Sequence, residues 1–262
     1  MRMKPSKVLN KLRAGETVSC TKLNSMDHRL AELAAMCGFD CLWTDMEHVP
    51  NDFAVIESQS LAAKAWDADL MVRVPRGSYS GYVRAFEAGA TGIMVPHIMS
   101  LEDAKAVVRM TRFHPKGRRP LDGGNSDGAY CLMDTVEYMA QSNEQRFVMI
   151  QIEDPEPLAE LDEICALDGI DVIFFGPGDF SHGIGAPCDF SHPEIIRVRK
   201  LIAETARARG KFAGTVGSPD ELEELWEAGY QFVSCGADVL GLTEYYAGII
   251  NAYKQKAKPA RP

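Results

Sequence analysis

The chain has 262 residues, enough for one large domain with a sizeable core, and its 46% hydrophobic and 25% charged content is ordinary for a soluble globular protein. A net charge of −9 with a pI near 5.2 argues against nucleic acid as a partner, which would need a basic stripe, and no apolar run is long enough to cross a bilayer. Seven cysteines, an odd number without a C-x-x-C pair, and the lack of a signal-peptide apolar core before Lys22 point to a reducing cytoplasm.

From the amino terminus, the amphipathic stretch 1–22 reads as the first structural element. Apolar, strand-like runs then follow at 18–21, 41–45, 70–74, 92–96, 147–152, 172–175, 212–216 and 232–235. Helical periods fill the gaps at 29–36, 53–65, 82–87, 102–111, 129–141, 193–209, 219–227 and 243–253, with a shorter one through Leu158, Leu161, Ile164 and Cys165. Gly38, Gly89, Gly169 and Gly229 recur between a helix and the next strand, where a left-handed cap ends the helix. Repeating strand–helix units of this number close most economically as a single-domain (β/α)8 barrel over residues 1–262; an open doubly wound sheet is the alternative. The irregular stretch 113–130 is a functional loop, reaching a neighbouring subunit or offering Arg118 and Arg119 to an acidic substrate, or else a solvated turn. The basic tail Lys254, Lys256, Lys258 and Arg261 reads as a solvated terminus.

Carboxylates end two neighbouring strands. In a parallel α/β protein the carboxyl ends of strands face the ligand, so Glu153 and Asp179 meet at one rim and repel unless a cation lies between them. Mg2+ or Mn2+ suits such oxygen ligands, with Co2+ a further candidate; the competing reading makes each acid a cap for the next helix. Gln151 shares a strand face with Glu153 and could orient a bound water. Asp45, Glu47 and His48 follow the second strand, His48 being either a general base or a polar loop residue. Arg73, between valines, faces either a reacting oxyanion or an ion pair with Glu47. Glycines around Pro177 let the Gly178 and Asp179 amides approach a carboxylate. Lys22 is the one candidate for a metal-free Schiff base, and His97 lines the cavity without an assigned role.

The runs D-M-E-H-V-P-N-D, V-R-V-P, E-A-G-A-T-G-I-M-V-P, F-H-P-K-G-R-R, Q-I-E and G-I-D-V-I-F-F-G-P-G-D-F-S together resemble the HpcH/HpaI family of metal-dependent, class II pyruvate aldolases. The resemblance implies a barrel of the phosphoenolpyruvate/pyruvate-binding type, with the last helix exchanged between subunits of a hexamer built as a trimer of dimers. It implies a divalent metal on Glu153 and Asp179, His48 with Asp45 as the acid/base pair, and Arg73 at the reacting oxygen. The expected reaction is reversible cleavage of a 4-hydroxy-2-oxo acid to an aldehyde and pyruvate, which leaves as a metal-bound enolate. Two other functions are weighed: a citrate lyase β-like enzyme acting on a CoA thioester, and a non-catalytic barrel used for binding or assembly. Lys22 and Asn24 depart from the apolar first-strand rim usual in the family, which places the choice of aldehyde in question.

Overall fold

The computed structural model describes residues 1–77 and 79–257, so Lys258 and Arg261 of the basic tail lie outside the described residues. Its parallel strands are β1 (Val18–Leu23), β2 (Cys41–Asp45), β3 (Asp69–Arg73), β4 (Gly92–Val95), β5 (Phe147–Ile152), β6 (Val172–Phe175), β7 (Phe212–Gly217) and β8 (Tyr230–Ala237). They close in sequence order, β8 pairing with β1. That last ladder confirms the (β/α)8 barrel and rules out the open sheet. The strands were legible as continuous apolar runs because a barrel strand is buried on both faces.

Helix α1 (Lys7–Arg13) plugs the amino-terminal end of the barrel with Val8, Leu9 and Leu12. Around the outside run α2 (His28–Met36), α3 (Phe53–Ala65), α4 (Tyr79–Glu87), α5 (Leu101–Thr111), α6 (Thr135–Gln145), α7 (Leu161–Ala166), α8 (Pro177–Gly183), α9 (Pro193–Ala208) and α10 (Leu222–Glu227), followed by α11 (Asp238–Lys256). Local chemistry sets their ends. Asp52 accepts the Val55 amide at 2.9 Å to start α3, and Gly38, Gly89, Gly169 and Gly229 all adopt positive φ, as their spacing suggests.

One expected helix is displaced. Residues 129–141 were expected to be helical throughout, but Ala129, Tyr130 and Cys131 form a short turn with φ of 51°, 53° and 63°. The helix starts only at Thr135, where the Asp134 carboxylate accepts the Val136 and Glu137 amides at 2.9 and 3.1 Å and fixes a new amino terminus.

Alternation along each strand divides the core in two. Outward side chains such as Leu70, Val72, Ile150 and Ile173 pack against the helices, while Met71, Met94, Met149, Phe174 and Phe232 fill the barrel. Large and small residues interlock there: Gly92 is paired in register with Phe147, and a Cβ on Gly92 would meet the Phe147 ring at 2.1 Å.

The helix ring is incomplete. α11, 19 residues long, has no buried side chain, and Val239, Leu240, Tyr245, Tyr246, Ile249, Ile250 and Tyr253 are exposed along it. Between α10 and α2, where the eighth helix of a barrel would sit, Phe39, Leu222, Trp226 and Cys235 line a cavity of about 330 Å³. No helix among the described residues is long and apolar enough to cross a membrane.

Candidate active site

The inward side chains change character at the carboxyl ends of the strands. Cys20, Trp43, Met71 and Met149 belong to the apolar interior, and two residues further along the same strands stand Lys22, Asp45, Arg73 and Gln151. Period-two geometry thus turns four strands from core to chemistry within one step.

Register makes the first cluster. Asp45 on β2 is the direct partner of Arg73 on β3, and Arg73 donates from Nε and Nη2 to the two Asp45 oxygens at 3.1 and 2.5 Å. Lys22 Nζ adds a contact to Asp45 at 2.8 Å, and Arg73 Nη1 lies 3.1 Å from Glu47. Burial pushes the Asp45 carboxyl up, but the hydrogen bonds and charge of Arg73, with Lys22 behind them, hold it well below the usual carboxylate range. Asp45 also accepts the backbone amides of Glu47 and His48 at 2.9 and 3.4 Å, a tight turn that delivers His48 to the rim.

The second cluster lies across the mouth. Glu153, immediately after β5, is fully buried, and no Lys or Arg contacts it among the described residues. One oxygen accepts the His97 amide at 2.8 Å and the other accepts Gln151 Nε2. Burial pushes its carboxyl up to about 7, against the pull of the His97 amide and ring; the charges of Asp179 and Glu47 push the same way as burial. Asp179 occupies the first turn of α8, where the leading amides have no intrahelical acceptor. Ligand atoms of Glu153, Asp179 and His97 lie within 4.8 Å of one another. A buried carboxylate with a second carboxylate and an imidazole nitrogen in reach is a donor set that fits one divalent cation. Gly176 makes room for it: a Cβ there would come within 2.8 Å of Glu153 and 2.7 Å of Gln151.

The sequence profile of the HpcH/HpaI aldolase/citrate lyase family matches residues 22–244. The chain belongs to that family. A 2-keto-3-deoxy-L-rhamnonate aldolase of Klebsiella pneumoniae is 34% identical over 232 residues, covering 88% of this chain and 86% of the relative. Its counterpart in Escherichia coli is 33% identical over the same coverage. The crystal structure of an HpcH/HpaI aldolase from Desulfitobacterium hafniense DCB-2 superposes with a TM-score of 0.88 at 27% identity, covering 97% of this chain and 99% of that one. The protein is thus a carbon–carbon lyase of the class II pyruvate aldolase type.

In this aldolase the structure gathers Lys22, Asp45, Arg73, Gln151, Glu153, Gly178 and Asp179 at one rim, with two rearrangements. The resemblance paired His48 with Asp45, but both Asp45 oxygens are taken by Arg73 and Lys22; the His48 ring, 59% exposed, lies instead 3.5 Å from Glu47. Gln151, expected to orient a water, is buried and donates directly to Glu153. Arg73 meets Asp45 and Glu47 together, so the ion-pair reading of that side chain holds with one more partner than expected. Lys22 sits in an ion pair, the opposite of the partner-free setting a Schiff-base lysine needs.

Arg119 is corrected outright. It is buried against Asp127 at 2.8 Å and the faces of Phe86 and Phe113, on the barrel side opposite the rim, and cannot reach a substrate. His97 was underrated. Its Nδ1 lies 2.8 Å from Asp154; burial lowers the imidazole, but that hydrogen bond and the charges of Glu153 and Asp154 outweigh it and raise the ring above its ordinary value. The signal for it was the V-P-H ending of β4, the same rim position that carries the other site residues.

Proposed function

We propose that Glu153 and Asp179 hold a divalent cation, Mg2+ or Mn2+ with Co2+ as a third candidate, and that His48 and Arg73 carry the proton and charge of the aldol cleavage. The observation that carries this reading is Glu153: a fully buried carboxylate that no Lys or Arg neutralises among the described residues, with Asp179 and His97 in reach. Bound there, the cation supplies Lewis acidity to the 2-oxo group.

The chain's own groups do the rest. The Gly178 and Asp179 amides at the start of α8 donate to the substrate carboxylate, as leading helix amides favour an anion. Arg73, locked by Asp45 and Glu47, places fixed positive charge where the keto oxygen gains electrons, without reorganising during the reaction. His48 takes the proton of the 4-hydroxyl as that oxygen becomes the aldehyde carbonyl and the C3–C4 bond breaks. The electron pair of that bond passes into the pyruvate fragment, which gains its final proton at C3. Asp45 acts by positioning, holding Arg73 with its oxygens and His48 through the turn amides; Glu47 sits beside the imidazolium that forms. Gln151 steadies Glu153.

The same reading covers assembly and setting. A bare apolar α11 beside an uncovered cavity on β1 and β8 supports exchange of this helix between copies, in a homo-oligomer arranged as a hexamer, a trimer of dimers. Seven free cysteines, three of them buried in the apolar core, support a cytoplasmic setting. The partners are a small 2-oxo acid and an aldehyde.

The test is pyruvate release from 4-hydroxy-2-oxo acids by the native assembly. Activity should vanish on chelation and return on adding Mn2+ or Mg2+, and His48→Ala should lower kcat by about 100-fold or more with the metal still bound. Cleavage that proceeds undiminished in the chelated protein overturns the reading.

A further inference from the structure

Strand β4 leads into V-P-H, and the backbone turns sharply at the histidine. His97 has a φ of 49°, a left-handed conformation that a side chain of this size keeps only when its neighbours hold it there. They do so on both sides. Ile98 is buried in the outer core with its amide donating to the Gln151 carbonyl at 3.4 Å, and the His97 amide donates to Glu153 Oε1 at 2.8 Å. The turn brings the ring to the same acid, Nδ1 lying 3.7 Å from that oxygen.

Both ring nitrogens face carboxylates. Nδ1 is 2.8 Å from Asp154, and Nε2 is 3.8 Å from Glu47 Oε1, the Glu47 oxygen left over once Oε2 has met Arg73 and His48. A neutral imidazole carries one proton and one lone pair. Whichever nitrogen gives its lone pair to an ion, a carboxylate stands near the other, the arrangement that orients a metal-binding histidine. A second sign of an outside occupant is Gln151, whose Oε1 is buried without a partner while its amide nitrogen holds Glu153. A water carried in by an ion supplies the donor that this oxygen lacks.

We propose that His97 is a third protein ligand of the cation and biases the site toward Co2+ and Mn2+ over Mg2+. The inference rests on the reading that Glu153 and Asp179 hold the ion, and it adds a nitrogen to that pair of oxygens, all three donors lying within 4.8 Å of one another. Mg2+ favours oxygen ligands and keeps several of its waters, whereas imidazole suits the later divalent ions of the first transition row. The nitrogen thus adds most affinity for Co2+, less for Mn2+ and least for Mg2+.

The experiment takes the full chain in its native assembly, stripped of metal, and titrates it calorimetrically with Mg2+, Mn2+ and Co2+. Pulsed electron paramagnetic resonance of the Mn2+-loaded protein, grown with 15N-labelled histidine, reads the ligand directly. The wild type should show a histidine nitrogen coupled to the manganese, kept in His48→Ala and lost in His97→Gly. Glycine suits the left-handed backbone and leaves the amide to Glu153 in place, so this variant removes the imidazole alone. It should weaken Co2+ binding by about 10- to 100-fold and Mg2+ binding by no more than about threefold. Should His97→Gly fold poorly, His97→Asn, which also tolerates this backbone, carries the same loss of nitrogen coupling. Bound Mn2+ without a histidine nitrogen, or Co2+ and Mg2+ affinities that stay unchanged or shift equally in His97→Gly, overturns the inference and leaves the two-carboxylate reading standing. Tighter binding of all three ions in that variant does the same, because it marks His97 as a counter-charge only. Absence of metal binding in the wild type, or Glu153→Gln without effect on any ion, removes both.

Discussion

Asp127 and Glu153 are both fully buried carboxylates, placed near opposite ends of β5, and their surroundings differ in one respect. Asp127 accepts Arg146 Nε at 2.6 Å, Arg119 Nη2 at 2.8 Å and the Tyr138 hydroxyl at 2.9 Å. Burial pushes its carboxyl up, yet the charges of Arg146 and Arg119 carry it below its ordinary value. Glu153 has an amide, a carboxamide and the His97 ring nitrogen at 3.7 Å but no arginine, and its carboxyl rises to about 7. The protein thus completes one buried acid with its own side chains and leaves the other to be completed from outside. The first is scaffold, and the second is the place the proposed ion would occupy.

The sharpest way to break this contrast is to remove each charge in turn. Glu153→Gln should abolish metal-dependent cleavage by at least about a thousandfold, roughly 4 kcal/mol of transition-state stabilisation, while the metal-free protein keeps or gains thermal stability. Asp127→Asn should do the reverse. It strands two buried arginines and should cost about 3 kcal/mol of stability, read by denaturant unfolding, with kcat of the folded fraction unchanged. If the two variants trade phenotypes, the contrast is wrong.

Smaller effects sharpen it. Gln151→Leu takes away the donor that steadies Glu153 and should weaken metal affinity by about 10- to 100-fold in a calorimetric titration, leaving the metal-free fold intact. The pH dependence has a definite sign. Between the ordinary glutamate value of 4.5 and about 7, the folded metal-free chain keeps a proton that the unfolded chain has released. Metal-free stability should therefore fall as pH rises through that window, and Glu153→Gln should remove this slope. A cation must displace the same proton, so metal affinity should climb with pH toward 7 by up to about tenfold per unit and then level off. Affinity independent of pH between 5 and 7 would count against Glu153 as a ligand.

The parts of this molecule that sequence could reveal are those in which one segment carries the whole signal. β2, β5 and β6 were placed to the residue because each is buried on both faces and reads as an unbroken apolar run. The acids at strand ends were visible for a similar reason, polar residues standing where an apolar run stops. What stayed hidden depends on two segments meeting. The partner of Asp45 was set by the β2–β3 register, which puts Arg73 directly opposite, and nothing within D-M-E-H could reveal that. Arg119 looked like an exposed loop cation because its partners Asp127, Tyr138 and Ser142 come from the turn and helix beyond it. The helix expected at 129–141 failed on backbone sign, three successive positive φ values that side-chain periodicity does not encode.

The bare last helix sets how the folded state must respond to dilution. If a second copy covers the tyrosines and isoleucines that α11 leaves exposed, part of the folded state's stability comes from that contact, and melting temperature becomes a function of protein concentration. Dose and heat tolerance would then rise together, and a truncation before Tyr245 would sever the link between them.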